Sequence, residues 1–188
     1  MARWEPDAQG RLAQAALELF AERGYEQTTV AEIAERAGLT KRTFFRHFAD
    51  KREVLFGGGT AFQDLVVDGA ASAPADARPL EAVAAGLVAA AEMLEGRRAF
   101  AHQRATVIAA NPELQERELI KMANLGQALA AHLRERGVGE PEASLTAEAG
   151  VAAFRIAFAR WVAGEDPRDL PTIVRGSIAT LQAISSAA

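Results

Sequence analysis

An all-α fold is predicted by three observations. Apolar residues recur at three- and four-residue spacing through almost the whole chain, glycine and proline separate those stretches, and no segment alternates convincingly as a strand. With 188 residues, 49% of them hydrophobic, the chain is long enough for one sizeable core and a smaller satellite, and about nine helices are expected in two domains, 1–50 and 51–188. No apolar run approaches the ~20 residues that span a bilayer, and Met1 to Asp7 lacks the apolar core of a signal peptide, so a cytoplasmic protein with no membrane partner is expected. The absence of cysteine excludes disulfides and thiolate metal sites. Basic residues are 18 Arg against 3 Lys, a weak hint of a GC-rich bacterial genome.

The first helix should run from Ala8 to Arg23, capped by Asp7, with Leu12, Ala15, Ala16, Leu19 and Phe20 on one face. Arg3 and Trp4 precede it and could reach DNA as an arm, although a frayed terminus is the simpler state of a segment containing Pro6. Thr29 and Glu32 form a capping-box pattern ahead of Val30, Ile33, Ala34 and Ala37. Gly38 should end that helix in a left-handed conformation, and Thr40 should cap the next after a turn of about three residues. Two short helices around a tight glycine turn form a helix-turn-helix.

At 100° per residue, Phe44 and Phe48 fall on one face of the second helix of this pair, and Arg42 and Arg46 on the other. Guanidinium forks on a short exposed helix suit guanine O6 and N7 or a phosphate, and Arg42 is the best single candidate for base reading. Lys41, Arg42, Arg46, Lys51 and Arg52 against Asp50 give a local +4 in a chain of formal net charge -4. A charge run alone is usually a solvated face; the capped pair and its turn favour DNA. Asp50 and Glu53 should start a helix from 51 to 71, with Lys51 and free backbone N–H groups holding one phosphate. Thr28 and Thr29 could contact phosphate across the groove, or simply cap.

The run from Ala8 to Phe56 resembles the N-terminal domain of the TetR family of bacterial transcription regulators. The resemblance is carried by Leu19-Phe20, Gly24-Tyr25, Thr28-Thr29-Val30, Ile33-Ala34, Ala37-Gly38-Leu39, Thr43, His47-Phe48, Lys51 and Leu55. It implies that Lys41 to His47 is the recognition helix, with Thr43, His47 and Lys51 on phosphates and Thr40, Lys41 and Arg42 near the bases. Two departures imply altered specificity: Phe45 stands where the family usually has tyrosine, and Arg42 where a small residue is common.

Beyond the head, helices are expected at about 79–95, 97–110, 112–136, 144–164 and 168–186. Gly57-Gly58-Gly59 falls inside the expected 51–71 helix, where three glycines cost about 3 kcal/mol relative to alanine. A kink, a break or close packing is expected there; a phosphate loop is not, because no strand or Lys-Ser/Thr accompanies it. The last two helices carry more apolar faces than one core needs. Phe154, Phe158, Trp161, Ile173, Ile178 and Leu181 are therefore candidates for a four-helix homodimer interface, the arrangement the resemblance also implies.

The resemblance further implies an effector cavity within Leu80 to Leu133. Phe62, Met93, Phe100, Val107 and Met122 are apolar candidates and Arg104 and Asn124 polar ones, all of which also suit an ordinary core or a solvated face. The stretch from Ile108 to Arg160-Trp161 is similar to a TetR subgroup associated with acyl-CoA-like ligands. The expected partners are thus double-stranded operator DNA, a small-molecule effector and a second copy of the chain. No cofactor, metal or catalytic residue is expected, since the three histidines lack metal-ligand spacing and no serine sits in a nucleophile-elbow pattern. The competing function is a helical protein-interaction module that keeps the head's fold without binding DNA. The cations at phosphate positions argue against it.

Overall fold

The computed structural model describes residues 7–57 and 59–186; Arg3 and Trp4, the suggested arm, lie outside the described residues. Among these the regular structure is helical throughout: α1 Ala8–Arg23, α2 Val30–Arg36, α3 Lys41–His47, a 3-10 turn Arg52–Leu55, α4 Gly59–Ala71, α5 Pro79–Leu94, α6 Arg98–Ala109, α7 Pro112–Glu135, α8 Glu142–Ala163 and α9 Leu170–Ser186. No described helix is long and apolar enough to cross a membrane.

The chain forms two compact units. One takes in the chain up to Gly59 together with Gln103–Glu118; the other comprises Thr60–His102 and everything from Leu119 onward. A division at residue 50 does not foresee the return of 103–118 to the first unit, because hydrophobic periodicity reports which face of a helix is buried and not against what.

In the first unit Asp7 caps α1, its carboxylate accepting from Gly10 N at 2.8 Å. Leu12, Ala15, Ala16, Leu17, Leu19 and Phe20 are buried, together with Ile33, Phe44, Phe48, Val54 and Leu55. Isolated helices of seven residues are unstable in water, so α2 and α3 depend on this shared core and on their caps.

The expected helix from 51 to 71 is corrected. A 3-10 turn closes at Leu55 and α4 begins at Gly59. The reason is local: a Cβ on Gly57 would collide with the Phe48 ring, so a helix-forming side chain is excluded where the segment lies against the head. Among the three options for the glycines, the break and the close packing both hold.

The second unit has one core that includes Phe62, Val66, Val83, Leu87, Leu129, Phe154, Trp161, Ile173 and Ile178. Gly86 lets α5 approach the backbone of α4, since a Cβ there would overlap the Val66 carbonyl oxygen. Gly150 on α8 likewise receives Val83 of α5. α9 packs on both α5 and α8. Its start is held by Glu95, whose carboxylate accepts from Leu170 N at 3.0 Å.

Candidate nucleic-acid interface

The helix pair is built from its caps. Thr29 N donates to the Glu32 carboxylate at 2.8 Å and Glu32 N donates back to Thr29 Oγ1 at 3.3 Å, completing the capping box. Gly38 takes φ +68°, and Leu39 N donates to Ala34 O at 2.8 Å, which closes α2. Thr40 Oγ1 then accepts from Thr43 N at 3.1 Å to open α3. Arg36 ties the first two helices together through a bidentate pair with Glu22, at 3.0 and 2.9 Å.

α3 turns Phe44 and Phe48 into the core, while Lys41, Arg42, Phe45, Arg46 and His47 are exposed and Thr43 is half-buried. Among the described residues Arg42 forms no ion pair, so its guanidinium is available to an acceptor outside the chain. Arg46 lies within 3.5 Å of the His47 ring. Phe45 is 49% exposed, and its ring is set by an edge contact with Phe44 at 5.5 Å and by the Lys41 ammonium at 5.9 Å. An apolar ring among cations is a surface that matches the mixed chemistry of a DNA groove, whose edges offer acceptors and thymine methyl groups.

Two expected phosphate contacts are corrected. Thr28 is buried, and its hydroxyl donates to Gly24 O at 2.9 Å, which anchors the loop before α2 and leaves nothing for DNA. The turn at Arg52 has no free N–H pair either, because the Asp50 carboxylate accepts from Arg52 N at 2.8 Å and Glu53 N at 3.1 Å. The Arg52 guanidinium first, and then those two N–H groups, hold the Asp50 carboxyl below the usual carboxylate range, against an opposing push from burial.

Lys51 is half-buried. Its ammonium donates to Tyr25 O at 2.7 Å and lies 4.1 Å from the centre of the Tyr25 ring. Burial, reinforced by the Glu113 and Asp50 carboxylates, pushes the Tyr25 phenol well above its ordinary range, so the ring under Lys51 stays neutral. Sequence reasoning overlooked this seat, although Gly24-Tyr25 was in view as a family feature.

The effector candidates do not assemble as one set. Phe62 and Met122 share the core of the second unit, where the Phe62 ring lies 5.9 Å from Phe154. Phe100 is half-buried. Met93, in the last turn of α5, is exposed, and so is Asn124, which shares an outward stripe of α7 with Leu119, Ile120 and Ala123. Arg104 and Val107 belong instead to the unit that contains the head. There Val107 is buried, and Arg104 donates to Leu55 O at 2.9 Å and pairs with Glu118 at 2.7 Å.

The dimer candidates are also redistributed. Phe154, Trp161, Ile173 and Ile178 are buried within their own chain, because α8 and α9 spend one apolar face each on α5. Phe158 and Leu181 are half-buried at the edge of that core. The apolar residues left outside are Ile156 at 60% and Ile184 at 66% exposure, with exposed alanines at 152, 159, 163, 179 and 183.

Comparison with known proteins agrees with this architecture. Residues 12–56 match the model of bacterial regulatory proteins of the tetR family, and residues 77–185 match the MftR C-terminal domain. The regulator TcmR of Streptomyces glaucescens is 44% identical over 73 residues, covering 39% of this chain and 32% of TcmR. A transcriptional regulator named MftR from Mycobacterium tuberculosis is 26% identical over 129 residues, covering 69% of this chain and 65% of MftR. The chain thus spans less than two thirds of the length of these relatives. Among solved structures, the transcriptional regulator FadR from Bacillus subtilis in complex with stearoyl-CoA superposes with a TM-score of 0.65 at 20% identity, over 92% of this chain and 96% of that one. At that identity the likeness concerns the fold alone. Because one model takes in the capped helix pair and its cationic helix, and another takes in more than half of the chain beyond them, this protein belongs to the TetR family of bacterial transcription regulators.

Proposed function

We propose that the protein is a cytoplasmic, dimeric, ligand-responsive repressor. It binds a palindromic operator through α3 and leaves it when a small hydrophobic effector is bound. The observation that carries this reading is the exposed, unpaired Arg42 on a short helix whose opposite face, Phe44 and Phe48, is locked in the core. A guanidinium so held is preorganised for a base edge. Thr29, Thr40, Lys41, Thr43, Phe45, Arg46, His47 and Lys51 would surround the same groove. Lys51 would reach phosphate from its seat on Tyr25.

The dimer reading is supported by the stripe Ala152, Ile156, Ala159 and Ala163 on α8 with Ala179 and Ala183 on α9. Small residues allow two pairs of helices to approach closely around an isoleucine. A closed two-fold pair would present two copies of α3 to half-sites about a helical turn, or multiples of it, apart. The domain division is read as a DNA-binding head over 1–50 and an effector and dimer region over 51–188. For the effector, a long acyl thioester is the reading to test first, supported by the stearoyl-CoA held by the FadR relative of like fold.

The test is a mobility shift with DNA upstream of the protein's own gene and its neighbours, against random competitor. Specific, palindrome-dependent binding is expected. Binding without preference that fades steeply with salt would reduce the head to a non-specific DNA binder. A thermal-shift series should show stabilisation by long-chain acyl-CoA beyond that by free CoA; equal shifts would remove the acyl thioester.

A further inference from the structure

We propose that the α6–α7 turn is the transmission element of this regulator, and that a grip around Phe56 joins that turn to the DNA head. The inference rests on the ligand-responsive reading above and assigns residues to its relay.

Phe56 is buried immediately after the 3-10 turn of the head. The Arg104 guanidinium of α6 lies 4.9 Å from the centre of its ring and that of Arg117 of α7 lies 6.0 Å away. Each arginine is fixed at its other donors. Arg117 makes a bidentate pair with Glu53 at 2.7 and 3.1 Å. Arg104 donates to Leu55 O at 2.9 Å and pairs with Glu118 at 2.7 Å. Three consecutive head residues beside Phe56 or including it, Glu53 at one remove, are therefore held by two side chains from another part of the sequence. The contacts are charged and partly solvated, so they can be exchanged for water without opening an apolar core.

The covalent routes between the two units differ in kind. The chain leaves the head's unit at Gly59, re-enters at Gln103 and leaves again at Glu118. The first passage is Gly57-Gly58-Gly59, where no side chain restricts the backbone and no helix carries through from the 3-10 turn. The second lies inside α6 and the third inside α7, both continuous helices. A shift along a hydrogen-bonded helix reaches its far end, whereas a glycine triplet absorbs it in a few dihedral angles. A change in the larger unit therefore reaches the head through α6 and α7, and Phe56 with Arg104 and Arg117 is where it is delivered. α4, which starts within the triplet, is a tether.

Linkage makes the relay testable without the effector, because what the larger unit does to DNA binding, DNA binding does to the larger unit. Hydrogen–deuterium exchange would be measured on the full chain, free and bound to the operator duplex, for the wild type, Arg117→Gln and Phe56→Leu. Operator should change exchange in 98–102 and 119–127 of the wild type by roughly fivefold or more, the lower range of allosteric coupling. Both variants should bind the operator yet lose most of that change. Phe56→Leu keeps an apolar side chain but offers no ring face, so it serves even if Arg117→Gln misfolds. Wild-type protein that binds operator with no change in those segments, or variants that retain the change in full, would overturn the relay. No specific DNA binding by the wild type would instead sink the regulator reading, and this inference with it.

Discussion

The two units of this molecule are built from the same helices by opposite means. The head's unit closes helices of seven residues with side-chain caps, bidentate ion pairs and a small aromatic core. The larger unit packs helices of 13 to 24 residues through glycines that bring backbones together. Caps fix helix ends and leave a face free, which suits a surface that must read another molecule. Backbone contact fixes whole helices against one another, which suits a body that holds a shape.

The largest effect should come from that backbone contact. Gly86→Leu should destabilise the larger unit by about 3 kcal/mol or more, since the obstacle is the Val66 carbonyl and not a side chain that can turn. Urea denaturation followed by circular dichroism measures it, and a variant within about 1 kcal/mol of wild type would mean that α4 and α5 slide apart easily.

Matched core truncations sharpen the contrast. Phe44→Ala and Trp161→Ala each remove a fully buried ring and should each cost about 3–5 kcal/mol, in different units. Amide exchange should rise around α1 to α3 for the first and around α8 and α9 for the second. Equal loss of protection everywhere in both would mean that the units unfold as one.

At the DNA surface, Arg42→Ala should cost about 1–3 kcal/mol on cognate operator and little on random DNA, as expected for a base contact. Lys51→Ala should weaken both about equally and reduce the salt slope by about one. Competition titrations at two salt concentrations separate these patterns, and equal losses on both DNAs for both variants would refute the assignment of Arg42.

The smallest effects test the caps. Thr29→Ala should cost about 1 kcal/mol of head stability by thermal melting. Asp50 has a depressed pKa in the fold, so its contribution is present above the ordinary aspartate range and is lost as pH falls through the lower folded value. Asp50→Asn should therefore flatten the loss of stability below about pH 4, and an unchanged acid limb would show that the cap does not matter.

Local chemistry made much of the head legible in advance. The capping box at Thr29, the left-handed Gly38, the cap at Thr40 and the split between Phe44 and Arg42 are each set by residues within four positions, and all stand as read. Thr28 misled because a threonine beside a cap looks alike whether its hydroxyl faces solvent or the Gly24 carbonyl. In α8 and α9 the apolar surplus was visible, but not its division: α5 took Phe154, Trp161, Ile173 and Ile178, and Ile156 and Ile184 were left outside. Arg104 stood in the sequence as a polar residue in an apolar helix, with no signal that Leu55 O and Glu118 would be its partners.

By itself the sequence determined the helical class, the helix ends, the turn of the helix pair and the side of α3 that carries charge, because periodicity and capping act over a few residues. Only the tertiary structure decided that the helix at residue 51 would stop at Leu55, that Lys51 would rest on Tyr25, and that 103–118 would return to Phe56. Those outcomes depend on surfaces far apart in the chain competing for the same partner, and the winner is settled by shape and charge in three dimensions.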